Sequence, residues 1–174
     1  MALNCRISKG VADSCTPNVA GVNRLAIANW DESYVFTKST GDCEVDTIDL
    51  GGEKVYPLAI ADGTGSMTIT GTIGGNGSSR FFNHSVGGTI MQLDCDVLNE
   101  YQNLFLGKFI VFVETKNREV FAVGVDNGLT AETFEYQSGA GESDANGISF
   151  VYSGAQPNTV LKLKDWSIVK ALMA

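Results

Sequence analysis

The sequence predicts a mainly β fold, a sandwich or barrel of roughly eight to eleven strands with one α-helix laid beside it. Three observations carry that expectation. Strand-like tracts recur along the chain, the clearest being the turn Asp144-Ala145-Asn146-Gly147 followed by the alternating run Ile148-Ser149-Phe150-Val151-Tyr152-Ser153. Glycine is abundant, 20 residues against 3 prolines, which suits tight turns where the backbone needs positive φ. Only one segment shows helical periodicity. With 174 residues and 44% apolar content the chain can bury a core of its own. Residues 21–174 therefore read as a single domain, preceded by an irregular arm at 1–20.

Along the chain, residues 1–20 carry Ser, Gly, Asp and Pro17 without clear period. Strand character runs from Val22 to Trp30 and ends at the acidic pair Asp31 and Glu32. The polar stretch 37–42 then precedes a strand over 43–50. Gly51-Gly52 is a turn signal and predicts a hairpin from that strand into 54–60. Residues 65–73 alternate most cleanly, with Met67, Ile69 and Ile73 on one face and Ser66, Thr68, Thr70 and Thr72 on the other. A flexible loop over 74–79 leads to a strand over 81–93, with a bulge or bend expected at Gly87-Gly88.

The helix is expected over 96–106, where Val97, Leu98, Tyr101, Leu104 and Phe105 form one stripe. Asp94 or Asp96 can cap its start, and Gly107 can end it in the left-handed conformation. The run Phe109-Ile110-Val111-Phe112-Val113 reads as a buried strand. Strands follow over 119–125, 129–137, 147–152 and 166–172, with turns at Lys116-Asn117 and Asp126-Asn127-Gly128. No internal repeat is present, which argues against a solenoid or propeller.

Charge and composition exclude several functions. A net charge of −8 repels a phosphate backbone, so gripping nucleic acid by counterion release is not expected. The N-terminus has no apolar core of a secretory signal, and no apolar stretch approaches the roughly 20 residues of a membrane span. Cys5, Cys15, Cys43 and Cys95 lie far apart, which fits free thiols packed as small apolar residues better than a zinc site. Glu142-Ser143-Asp144-Ala145-Asn146-Gly147 imitates the start of a calcium loop. The twelfth position is Ser153, however, and no helix flanks it, so an Asx turn is expected. Gly107-Lys108 lacks the Ser or Thr of a phosphate loop, and no serine sits in a nucleophile elbow. The one histidine, His84, lies in a strand and reads as structural. Asp42, Glu44 and Asp46 alternate along one face, with Asp49 nearby, and form a solvated or channel-lining acidic strip in preference to a catalytic pair. No enzyme, metal or cofactor is expected; the chain is suited to work by shape and assembly.

The order of these pieces resembles the tail tube and tail hub proteins of tailed bacteriophages, in the version found in crAss-like and other Bacteroidota-infecting phages. The resemblance is carried by Gly21-Val22-Asn23-Arg24-Leu25-Ala26-Ile27-Ala28-Asn29-Trp30, by Lys54-Val55-Tyr56-Pro57, and by the helix leading straight into the apolar strand at 109–114. Gly128-Leu129-Thr130, Ser138-Gly139, the Asp144–Gly147 turn and Gly154-Ala155-Gln156-Pro157 complete it, over residues 22–164. The resemblance implies a tail-tube-like sandwich or barrel. Neighbouring copies would pair edge strands into a closed six- or twelve-fold ring, alone as a hub or adaptor or stacked into a tube. It implies a virion location after assembly in the bacterial host cytoplasm. The implied partners are further copies of the chain and other tail or portal-proximal proteins; no membrane is involved. DNA would pass the lumen without specific binding. Asp42, Glu44, Asp46, Thr68, Thr70 and Thr72 are then candidates for the lumen, and Trp30, Asp31, Glu32, Tyr34 and Tyr56 for contacts between subunits. The arm at 1–20 would reach a neighbouring subunit. Alternatives are a contractile secretion or tailocin tube and, in another class, a capsid decoration or carbohydrate-binding β-sandwich.

Overall fold

The computed structural model describes residues 10–11, 17–39, 43–91, 94–144 and 146–174. Most of the expected arm, Cys5, Cys15, Asp42 and Ala145 lie outside the described residues. The described chain forms strands β1 (Val22–Asn29), β2 (Val35–Lys38), β3 (Glu44–Asp49), β4 (Tyr56–Leu58), β5 (Ser66–Gly74) and β6 (Ser79–Ile90). Helix α1 (Cys95–Leu106) follows, then β7 (Lys108–Thr115), β8 (Val120–Val123), β9 (Leu129–Gln137), β10 (Gly147–Gln156), β11 (Leu161–Leu163) and helix α2 (Trp166–Ala171). The fold is mainly β, with α1 flanking the sheet as the sequence predicts.

The strands connect in the order β2-β3-β11-β8-β7-β9-β10-β6-β5, with β1 joining β7 to β4. All pairings are antiparallel except β11 against β3, where Lys162 lies opposite Glu44 and Leu163 opposite Val45. Sheet geometry explains the apolar run of β7. It pairs with β1 along one edge and with β8 and β9 along the other, and both of its faces are covered. Leu25, Ile27, Phe109, Val111 and Val113 point to one core, where they meet Val86, Phe150 and Tyr152. Ala26, Ala28, Ile110 and Phe112 point to a second core with Val45, Leu163, Trp166 and Val169. Across the β1–β7 pair Ala26 faces Phe112 and Ala28 faces Ile110, so small residues make room for large ones.

Helix α1 starts where Asp94 accepts a hydrogen bond from the Val97 amide at 3.0 Å. Its inward side, Val97, Tyr101 and Leu104, packs on the first core, and Tyr101 meets Phe134 edge-on at 4.9 Å between centroids. The buried Tyr152 hydroxyl donates to the Leu104 carbonyl at 2.7 Å, which ties the last turn to β10. Burial in this apolar setting pushes the Tyr152 phenol well above its ordinary pKa.

Several expectations are corrected. Residues 166–171 are helix, not strand: Asp165 accepts from the Ser167 amide as an N-cap, and Trp166 and Val169 are buried on one side. Gly51 and Gly52 do turn the chain, with φ of 61° and 94°, but they do not make a hairpin. β3 pairs with β2 and β11, while β4 pairs with β1. Residues 75–77 form a compact 3-10 turn inside the β5–β6 hairpin in place of a flexible loop. No bulge occurs at Gly87-Gly88, since β6 stays in register with both β5 and β10. Close packing explains the glycine: a Cβ on Gly88 would stand 2.9 Å from Ile60. Gly107 is extended, with φ of −73°, and is small because a Cβ would meet the Phe109 ring and the Asn103 carbonyl. Ile73, expected on the buried face, is exposed near the hairpin tip, and Thr72 is half-buried. Cys43 and Cys95 are exposed free thiols, not packed core residues.

Candidate functional site

The nine residues of β5, Ser66 to Gly74, contain neither charge nor proline, and the strand pairs only with β6. It ends the strand order, so one row of its backbone amides and carbonyls has no strand beside it. Thr68 and Thr70 are exposed on it and Thr72 half-buried, so these three candidates do share a face by strand alternation.

Glu44 and Asp46 sit elsewhere, on β3, and do not form a bare acidic strip. Lys162 reaches Glu44 at 3.0 Å and Glu119 at 3.6 Å, and Lys164 reaches Asp46 at 3.5 Å. The parallel β3–β11 pairing places these opposite charges side by side. The Glu44 hydrogen bond raises the Lys162 pKa above its ordinary value, with partial burial opposing and the Glu44 and Glu119 charges adding to the rise. Sequence inspection misses the lysines because they lie more than a hundred residues away.

The proposed inter-subunit residues cluster around the end of β1. Trp30 is half-buried and engaged within its own chain: its indole donates to the Val125 carbonyl at 2.9 Å, and the Lys108 ammonium lies 4.0 Å from its ring centroid. Asp31 is exposed and accepts from the Ser33 amide at 2.8 Å, and its hydrogen bonds to Ser33 hold its carboxyl below the usual range. Glu32 is exposed. Tyr34 is half-buried and donates to the Asn29 carbonyl at 2.8 Å; burial, then the Glu53 and Asp31 charges, raise its pKa. Tyr56 is 47% exposed at the rim of a groove of about 820 Å³ between β4, β1 and α1. Asp94, Asp96 and Glu100 stand on that groove's wall over a floor that includes Ile27 and Leu104.

A second concavity, of about 530 Å³, opens where β2, β6, β8 and the 158–161 segment approach one another. His84 lines it and is 2% exposed. Beside it the turn Asp126-Asn127-Gly128 is fixed by Gln156, whose side chain accepts from the Asn127 amide at 2.8 Å and donates to the Gly128 carbonyl at 2.9 Å. Burial pushes the His84 pKa below its ordinary value of 6.5, against an opposing pull from the Asn158 backbone and the Asp126 charge.

The calcium-like segment closes as an Asx turn, with Asp144 accepting from the Ala140 and Gly141 amides at 2.9 and 2.7 Å. These two bonds lower the Asp144 pKa, the Gly141 bond most. Among the described residues no group of three or more His, Cys, Asp or Glu side chains converges as metal ligands, and no helix is long and apolar enough to cross a membrane. Comparison of the chain with family models, curated proteins and solved structures finds no match.

Proposed function

We propose that the chain is a structural virion protein, a subunit of a phage tail tube or tail hub that closes with its own copies into a ring around a channel for genome ejection. One observation carries this reading: β5 is a long, flat, uncharged edge strand with β-branched residues and none of the lysines or prolines that normally blunt such an edge. In a monomer that edge is an aggregation hazard. Pairing with the far end of a neighbour's sheet removes it, and repetition of one head-to-tail contact closes a ring when the rotation fits.

β2 at the opposite end offers the complementary edge, with Val35 exposed. The sequence resemblance adds to this reading by the order of its pieces, and so does a net charge that disfavours adhesion of passing DNA. The reading includes no catalytic step.

Light scattering of the purified protein, followed by negative-stain imaging, tests it. Six- or twelve-fold rings or short tubes with a central hole are expected. Thr70→Lys, which places a charge on the edge, is expected to yield monomer with an unchanged circular dichroism spectrum. A monodisperse monomer at high concentration, alone and with tail partners, would overturn the reading. Rings that persist unchanged in Thr70→Lys would remove β5 as the contact.

A further inference from the structure

The fold buries one polar group without a partner, and that group faces a cavity. His84 Nδ1 accepts from the Gly124 amide at 3.4 Å, which assigns the ring proton to Nε2. Nε2 is buried and has no hydrogen-bond partner among the described residues. A buried donor left unmade costs free energy, so the site favours anything that brings an acceptor. The cavity of about 530 Å³ falls in the range of roughly 300–1,000 Å³ that holds small molecules.

The wall selects the ligand's chemistry. Lys38 and Asp126 both line the cavity, so a net anion meets one repulsive charge and a net cation meets the other. A neutral ligand avoids both. The polar lining mixes donors, His84 Nε2 and the Asn158 amide, with an acceptor, the Asp126 carboxylate. Asn158 reaches Asp126 only at 3.3 and 3.4 Å, long bonds that leave both groups with capacity for a ligand. Groups that donate and accept at once are hydroxyls. Phe82, 37% exposed, also lines the cavity and offers an aromatic face whose negative quadrupole attracts polarised C–H bonds. A neutral ring carrying several hydroxyls on one side and C–H groups on the other meets all these conditions. A lone water would satisfy Nε2 and leave the Phe82 wall wet.

We propose that this cavity binds a neutral pyranose sugar, with His84 Nε2 and Asn158 donating to its hydroxyls, Asp126 accepting from them and Phe82 covering its C–H face. The site goes beyond ring formation and does not depend on it, since all of its residues come from one chain.

His84 is the one histidine in the sequence, so its ring ¹⁵N and ¹³Cε1 resonances report the site without assignment. The intact protein is titrated with glucose, galactose, mannose and N-acetylglucosamine. At least one is expected to shift these resonances saturably with Kd of about 1 mM, the weak range of a small, singly contacted ligand. Asp126→Ala and Phe82→Leu, both at exposed positions, are expected to weaken that binding at least about tenfold. No saturable shift with any of the four sugars, or a shift undiminished in both variants, overturns the proposal. Light scattering of the same samples reports assembly separately.

Discussion

At one end of the strand order β5 runs uncharged beside β6 alone, while near the other end β3 and β11 lie side by side with Glu44 against Lys162 and Asp46 against Lys164. Both are short segments of the same sheet, yet they settle their polar groups in opposite ways. The β3–β11 pair is satisfied within the chain: its backbone is paired, its charges are matched, and Val45 and Leu163 between them are buried. β5 gives Met67 and Ile69 to the core and leaves its outer backbone to water or to another molecule. Matched charges across a ladder make an end self-contained, and a bare ladder makes it associative. The two ends approach one another at the His84 cavity, which is lined by Lys38 of β2 and Phe82 of β6.

The largest test of this contrast compares one apolar truncation at each end. Leu163 is 1% exposed, within the core that also holds Trp166 and Val169, so Leu163→Ala removes buried methyl groups and leaves a cavity. A loss of about 2–5 kcal/mol in urea unfolding is expected. Ile73 on β5 is 69% exposed. Ile73→Ala is expected to change the stability of the isolated subunit by no more than about 0.5 kcal/mol. Equal losses at the two sites would erase the distinction between a closed end and an open one.

How much of this the chain discloses depends on how local the cause is. β7 is legible because burial on both faces needs a continuous apolar run, and β10 because its turn and alternation are adjacent in sequence. α1 is legible from its stripe and its Asp94 cap. α2 is obscured because six residues are too few to show a helical period, and Trp166, Ile168 and Val169 suit a strand equally well. The signal that identifies it is Asp165 as an N-cap, with Lys170 in the last turn. Glycines 51 and 52 announce a turn but not the partner of the strand that follows. The ion pairs on β3 and the His84 cavity are joined from segments far apart, so neither has a local signature. The parallel β3–β11 contact, made across more than a hundred residues, turns an acidic strip into a mixed-charge ladder.

A second, smaller effect is read at the seam between the ends. Burial lowers the His84 pKa below the 6.5 of the free side chain, with the Asn158 backbone and Asp126 pulling the other way. Between those two pKa values the unfolded chain binds more protons than the folded one, so stability rises with pH there. The contribution is complete above 6.5 and is lost as pH falls through the lower, folded value. Wild type and His84→Gln are compared by chemical denaturation from about pH 7 to about pH 5; the variant cannot titrate at this site, so the wild-type advantage over it should shrink on acidification. A difference that holds constant with pH would mean that the histidine is not kept neutral by burial.

The smallest effect is at the charged end. Lys162 is 38% exposed and its partners Glu44 and Glu119 are also partly in water, so solvent screens the cluster. Lys162→Gln is expected to cost less than about 1 kcal/mol at neutral pH, and less still in high salt. Its folded pKa is raised above 10.5, chiefly by the Glu44 hydrogen bond, so the stabilisation is complete below 10.5 and is lost as pH rises through the folded value. The variant also leaves Glu44 and Glu119 close together with no cation between them, which restores part of the acidic strip that the sequence alone suggests. If ladder charges serve to keep this end from joining other chains, Lys162→Gln should increase association in light scattering while barely altering unfolding. A large loss of stability with no change in association would instead make the ion pairs supports of the fold, and the contrast between the two ends would then rest on the backbone of β5 alone.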